Sequence, residues 1–109
     1  MALSPTYTKI KELVLGKKYE LSFAYVTPIQ MRKAMKYKKT PEKKLSNVLA
    51  FPLSKTSGEI LICKQAAKPY SLPYLFIHGC LHLKGLKHSD TMESIELRLL
   101  KRFGFSIHE

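Results

Sequence analysis

The stretch Pro73-Tyr74-Leu75-Phe76-Ile77-His78-Gly79-Cys80-Leu81-His82-Leu83-Lys84-Gly85-Leu86-Lys87-His88 decides the reading of this chain. It predicts a helix from Pro73 to about Leu83. Apolar residues Tyr74, Leu75, Phe76, Ile77, Leu81 and Leu83 surround that helix on all sides, the pattern of a buried element rather than an amphipathic one. Positions four apart lie about 40° apart around a helix axis, so His78 and His82 project side by side from consecutive turns. Gly85 can end the helix in a left-handed conformation and fold the chain back, which delivers His88 toward the other two imidazoles. Three neutral ring nitrogens on one side of a metal leave a fourth position for water, the arrangement of a catalytic rather than a structural zinc site. His78, His82 and His88 are therefore the candidate metal ligands. A single histidine in a buried helix is ordinarily a hydrogen-bonded core residue, but three at this spacing, with glycine where a turn is required, point to a metal. Cys80 lies about 200° around the helix from His78 and reads as a small core residue. Cys63 at a strand end and His108 beside the C-terminus are given no functional role.

Working outward, Thr8 to Leu15 places Ile10, Leu13 and Val14 at helical spacing, with Gly16 as a stop. Tyr19 to Val26 alternates as a strand. Thr27-Pro28-Ile29-Gln30 predicts a helix start, with Thr27 as cap, Pro28 in the first turn and Gln30 completing a capping box; the helix runs to about Tyr37. Val48–Leu53 and Glu59–Cys63 read as two strands joined through Ser54–Gly58, with Gly58 at the turn. A last helix, about Ser89 to Phe103, carries Met92, Ile95, Leu99 and Phe103 on one stripe. The order of elements suggests an α/β sandwich with a small mixed sheet.

The chain has 109 residues, the size of one domain, and an apolar fraction of 45% with 25% charged residues, which excludes disorder over the whole chain. Nineteen Lys and Arg against eight Asp and Glu leave a formal charge of +11, a field that attracts polyanions such as nucleic acid. Two cysteines are too few for a disulfide framework and point to a reducing compartment. No secretory signal and no membrane-spanning stretch is read, so the expected location is cytoplasmic, with no membrane partner.

The spacing His-x-x-x-His-x-x-Gly-x-x-His is shared with metzincin proteases, which need a glutamate directly after the first histidine; here that residue is Gly79. The full motif from His78 to His88 instead resembles His-Gly-x-Leu-His-Leu-x-Gly-Tyr-Asp-His of the YbeY family of metal-dependent ribosomal-RNA endoribonucleases. Ser46-Asn47-Val48-Leu49-Ala50-Phe51-Pro52 is similar to a second motif of that family, and Gly58-Glu59-Ile60 to a third. The resemblance spans roughly Tyr19 to Phe105. It implies an α/β (α+β) fold in which a small mixed β-sheet is flanked by helices, with a buried, metalloprotease-like metal-binding helix. It also implies one Zn²⁺ per chain on His78, His82 and His88, hydrolysis of precursor ribosomal RNA, and the small ribosomal subunit or its assembly factors as partners. Residues 1–109 would form one such hydrolase domain.

Some family positions differ. Where the family carries Tyr-Arg, the nearest match is Tyr37-Lys38, and Lys38 is the expected catalytic cation, able to neutralise a phosphate but not to grip it bidentately. Lys87 replaces the aspartate before the third histidine, with Asp90 and Glu59 as possible substitutes, and Ala50 removes a hydroxyl. Seven of the fourteen residues from Met31 to Lys44 are basic, which suggests contact with an RNA backbone. Tyr37 and Tyr70 could stack on bases, whereas Tyr74 reads rather as core. Two rivals stand beside the nuclease: a non-catalytic, zinc-stabilised RNA-binding ribosome-assembly factor, and a hydrolase of some other phosphoester or peptide.

Overall fold

The computed structural model describes residues 3–37 and 44–109. Helix α1 (Pro5–Leu15) starts at Ser4, whose hydroxyl accepts the Tyr7 N–H, and ends at Gly16. Strand β1 (Glu20–Tyr25) follows, then helix α2 (Pro28–Met35). The expected capping box is present at α2: Thr27 Oγ1 accepts the Gln30 N–H at 3.2 Å, and Gln30 Oε1 accepts the Thr27 N–H at 2.9 Å. Strands β2 (Val48–Ser54) and β3 (Ser57–Ile62) form a hairpin. A short 3-10 turn (Lys64–Ala66) leads to helix α3 (Leu72–Lys84), and helix α4 (Asp90–Phe103) closes the order. Among the described residues no helix is long and apolar enough to cross a membrane.

The sheet has the order β1-β3-β2, with β3 parallel to β1 and antiparallel to β2, so it is mixed as expected. The hairpin turn is tighter than the sequence suggests. Ser54 pairs directly with Ser57, which leaves Gly58 inside β3 opposite Pro52 rather than in the turn. Its lack of a side chain serves packing instead: a Cβ at Gly58 would lie 2.8 Å from Leu83 Cδ2.

Side-chain alternation along the strands divides the interior in two. Phe23, Ile60 and Ile62 join Ile10, Phe76, Ile77, Cys80, Leu81 and Met92 in the main core between the sheet and helices α1, α3 and α4. Leu49 and Cys63 meet Met31 and Met35 of α2 in a smaller cluster. Helix α3 is thus the central helix, packed against the sheet, α1 and α4. Its approach to the sheet is close at the turn that carries the first candidate ligand. A Cβ on Gly79 would stand 3.1 Å from Ile60 Cδ1, nearer than ordinary side chains pack. That contact accounts for a glycine beside His78.

Candidate metal centre

Helix α3 begins at Ser71, whose hydroxyl accepts the Tyr74 N–H at 3.2 Å, and stops at Gly85 in the left-handed conformation (φ 106°, ψ 7°). The Gly85 and Leu86 N–H groups bond back to carbonyls of His82 and Leu81 at 2.9 and 3.1 Å. This reversal carries His88 back against the helix it has just left. The ring centroids of His78, His82 and His88 lie 4.5 to 4.9 Å apart, and one nitrogen of each can be chosen so that all three fall within 4.8 Å of one another. The three residues singled out by their spacing are therefore brought together, two from the helix and one from the loop after it.

Hydrogen bonds on the far side of two rings set their tautomers. Glu96 Oε2 stands 2.5 Å from His78 Nδ1, and the Leu86 carbonyl stands 3.0 Å from His82 Nδ1. Both partners are acceptors, so each Nδ1 carries a proton, and in the neutral ring Nε2 presents a lone pair. The two Nε2 atoms face each other at 3.0 Å. Two lone pairs at that range repel unless a proton or a metal ion lies between them. A tetrahedral ion with Zn–N bonds of about 2.0–2.1 Å would hold two nitrogens about 3.3 Å apart, so the donor set fits such an ion with a small relaxation. Burial, reinforced by the neighbouring His78, holds the His82 imidazole below the usual histidine range. It is thus kept neutral, as a ligand must be.

Glu96 escaped the sequence reading. It is 4% exposed, the one buried charged residue among the described residues, on the face of α4 that also buries Met92, Leu99 and Leu100. Its signal was an acid four residues after Met92 and three before Leu99, on what is otherwise an apolar stripe. Of the substitutes suggested for the missing aspartate, Asp90 lines a cleft beside His78 and His88, and neither it nor Glu59 bonds to a histidine among the described residues. Glu59 lies on β3 and pairs with Ser22 at 3.5 Å, while Asp90 is exposed in the first turn of α4.

Two clefts flank the histidines. One, about 500 Å³, runs between α3 and the chain entering β2, with Lys44, Ser46, Asn47 and Ala50 beside His78, His82 and His88. The other, about 470 Å³, lies between the start of α3, helix α4 and the C-terminal segment, and is lined by Tyr70, Tyr74, Glu93 and His108 beside His78 and His88. Tyr74 is accordingly only partly core: one side packs on the apolar cluster and the other faces this cleft. Burial, with the Glu96 carboxylate nearby, pushes its phenol up to about 12. Lys38, the expected catalytic cation, lies outside the described residues, as do Lys39, Thr40-Pro41, Glu42 and Lys43 of the same basic segment. Arg32, Lys33 and Lys36 are exposed on and just after α2, and Tyr37 is 85% exposed. Cys80 is fully buried with its thiol pushed up to about 12 by desolvation, and Cys63 is buried in the smaller cluster.

Comparison with known proteins matches the sequence model of the family described as Endoribonuclease YbeY to residues 4–104, nearly the whole chain, with His78, His82 and His88 inside the match. The chain belongs to the YbeY family. Members named Endoribonuclease YbeY include one from Colwellia psychrerythraea, 39% identical over 85 residues that cover 58% of this chain and 55% of the relative. One from Polynucleobacter asymbioticus is 35% identical over 80 residues, covering 56% and 52%. One from Ruthia magnifica is 31% identical over 119 aligned positions, covering 89% and 81%. The chain spans about half the length of the Colwellia and Polynucleobacter relatives it matches. No solved structure gives a significant match. The YbeY resemblance drawn from the motifs is thus supported by the whole sequence, and the mixed sheet flanked by helices is the fold it implied.

Proposed function

We propose that this chain is a zinc-dependent endoribonuclease domain that hydrolyses phosphodiester bonds in precursor ribosomal RNA. The observation that carries the reading is the pair of Nε2 atoms 3.0 Å apart, with a nitrogen of His88 within 4.8 Å of the other two rings' ligand atoms. Three imidazoles with no thiolate suit zinc and leave room for water. The names of the relatives, each an Endoribonuclease YbeY, support RNA as the substrate, and the +11 charge suits a polyanion. The same reading places the protein in the cytoplasm, with the small ribosomal subunit or its assembly factors as partners.

In this scheme His78, His82 and His88 hold the ion. When bound, the ion supplies Lewis acidity, which makes water nucleophilic near neutral pH and polarises a phosphoryl oxygen. Glu96 fixes the His78 ring by accepting its Nδ1 proton, and the Leu86 carbonyl does the same for His82. Lys44, on the wall of the cleft toward β2, offers an ammonium to the RNA backbone. Lys38 is proposed as a further cation for the charge that develops on the phosphate.

The second reading, an RNA-binding assembly factor that uses zinc for stability alone, is favoured by lysine standing at positions 38 and 87 where the family pattern has arginine and aspartate. The two are separated by incubating the purified protein with a ribosomal RNA fragment, with zinc or with chelator, beside His82→Ala. Cleavage that follows zinc content and is lost in the variant supports the nuclease. RNA binding with stoichiometric zinc and no turnover supports the assembly factor. Undiminished cleavage by metal-free protein would defeat the metal scheme.

A further inference from the structure

The cleft between the start of α3 and helix α4 is built differently from the one beside β2. One wall is a row of rings. Tyr74 lies 5.8 Å from His78 at 35°, Tyr70 lies 5.2 Å from Tyr74 at 27°, and His108 lies 5.7 Å from Tyr70 at 26°. The two outer pairs are thus stacked, and Tyr74 is tilted against the metal-site histidine. That segment is tied down by backbone contacts. The Ser71 N–H and hydroxyl donate to the carbonyls of Ile107 and Ser106 at 2.7 and 2.6 Å, and the Glu109 N–H donates to the Pro69 carbonyl at 3.2 Å. The backbone around His108 is consequently held at the wall, and its exposed ring stacks on Tyr70, although the sequence assigns it no role.

The opposite wall comes from α4 and is acidic, with Asp90 and Glu93 exposed and Glu96 buried behind His78. Such a wall repels phosphate. The cleft on the other side of the histidines carries Lys44 and, among the described residues lining it, no carboxylate. The two sides of the candidate metal centre therefore differ in charge, one suited to a phosphate and the other to a neutral group that stacks and donates hydrogen bonds.

Resting on the nuclease reading above, we propose that the α3–α4 cleft is a nucleobase subsite. It takes one unstacked base of single-stranded RNA against Tyr70 and Tyr74, and favours a base with an exocyclic amine. Aromatic side chains stack on any base face, and single-stranded RNA is read largely in this way. A carboxylate discriminates further, because it accepts from the N4 amine of cytosine and meets only a carbonyl at the same position of uracil. Glu93 and Asp90 are the carboxylates placed to make that contact.

The test is the affinity of the zinc-loaded protein for labelled oligo(C) and oligo(U) of equal length, followed by fluorescence anisotropy across a salt series. Oligo(C) binds more tightly. Tyr70→Ala weakens oligo(C) binding by about 5- to 100-fold, the range of one stacked base. Tyr70→Phe retains the affinity, and His108→Ala, at an exposed position where folding is not in question, weakens it in the same direction. The slope of affinity against salt stays unchanged in all three variants, since no phosphate contact is removed. Glu93→Gln reduces the preference for oligo(C). Salt-dependent binding that Tyr70→Ala and His108→Ala leave untouched overturns the subsite while sparing RNA as substrate. Equal affinity for the two RNAs overturns the amine preference. Absence of RNA binding by the unsubstituted protein overturns the nuclease reading and the subsite together.

Discussion

Replacing Glu96 by glutamine keeps the shape of a buried side chain and removes its charge, so it isolates what the carboxylate does for His78. In the native chain the carboxylate, 5% exposed, sits 2.5 Å from His78 Nδ1. A hydrogen bond to an ionised group contributes about 1.5–3 kcal/mol, against roughly 1 kcal/mol for a neutral one, so the exchange removes about 0.5–2 kcal/mol. Outer partners of metal-bound histidines are known more generally to change metal affinity by about 10–100-fold, equivalent to about 1.4–2.7 kcal/mol. The two ranges overlap near 1.5–2 kcal/mol, and zinc affinity is expected to fall about 10- to 30-fold. The assay is competition with a chromophoric chelator, with thermal melting of the zinc-loaded and zinc-free protein alongside. At about 4–8 °C per kcal/mol for a domain of this size, the rise in Tm caused by saturating zinc should shrink by roughly 6–16 °C. Zinc affinity within twofold of the native value would refute the reasoning and reduce Glu96 to a packed core acid.

Gly85→Ala meets no steric neighbour, but its φ of 106° places a Cβ in left-handed backbone, so stability should fall by about 1–2 kcal/mol in denaturant melts and zinc binding should weaken as His88 loses its approach. Tyr19 buries its hydroxyl with no partner among the described residues, and Tyr19→Phe is therefore expected to raise stability by about 1 kcal/mol in the same melts; a loss of stability would show that the hydroxyl is satisfied. Cys80 is held protonated to about 12 against an ordinary thiol value of 9.0, and burial also raises Tyr74 and Tyr7. The unfolded chain loses these protons first, so the stabilisation is intact below about 9 and is lost as pH rises toward 12. Tm should decline over that range, less steeply in Cys80→Ala. At pH 8 the thiol of Cys80 should resist a disulfide reagent until denaturant is added.

Much of the fold was written in local pattern. The all-round apolar character of Tyr74 to Leu83 announced a buried helix, the Thr27–Gln30 box marked the start of α2, and Gly85 marked the end of α3. Such signals are legible because they act within a few residues. Gly58 was misplaced for the opposite reason: its glycine answers Leu83 on a distant helix, and nothing in its own neighbourhood distinguishes packing from turning. Tyr74 was half misread because a residue one turn before His78 is both core and cleft wall, a distinction that depends on which elements stop short of it.

The histidine spacing alone determined that His78 and His82 share a helix face and that His88 returns to them, since helical periodicity and one left-handed glycine dictate it. The tertiary structure decided what stands behind and beside them. Glu96 reaches His78 from 18 positions away because α4 packs against α3. His108 joins the row of rings because the C-terminal segment bonds to the start of α3. Contacts of that kind are chosen by how apolar faces dock, and a linear pattern records each face without naming its partner.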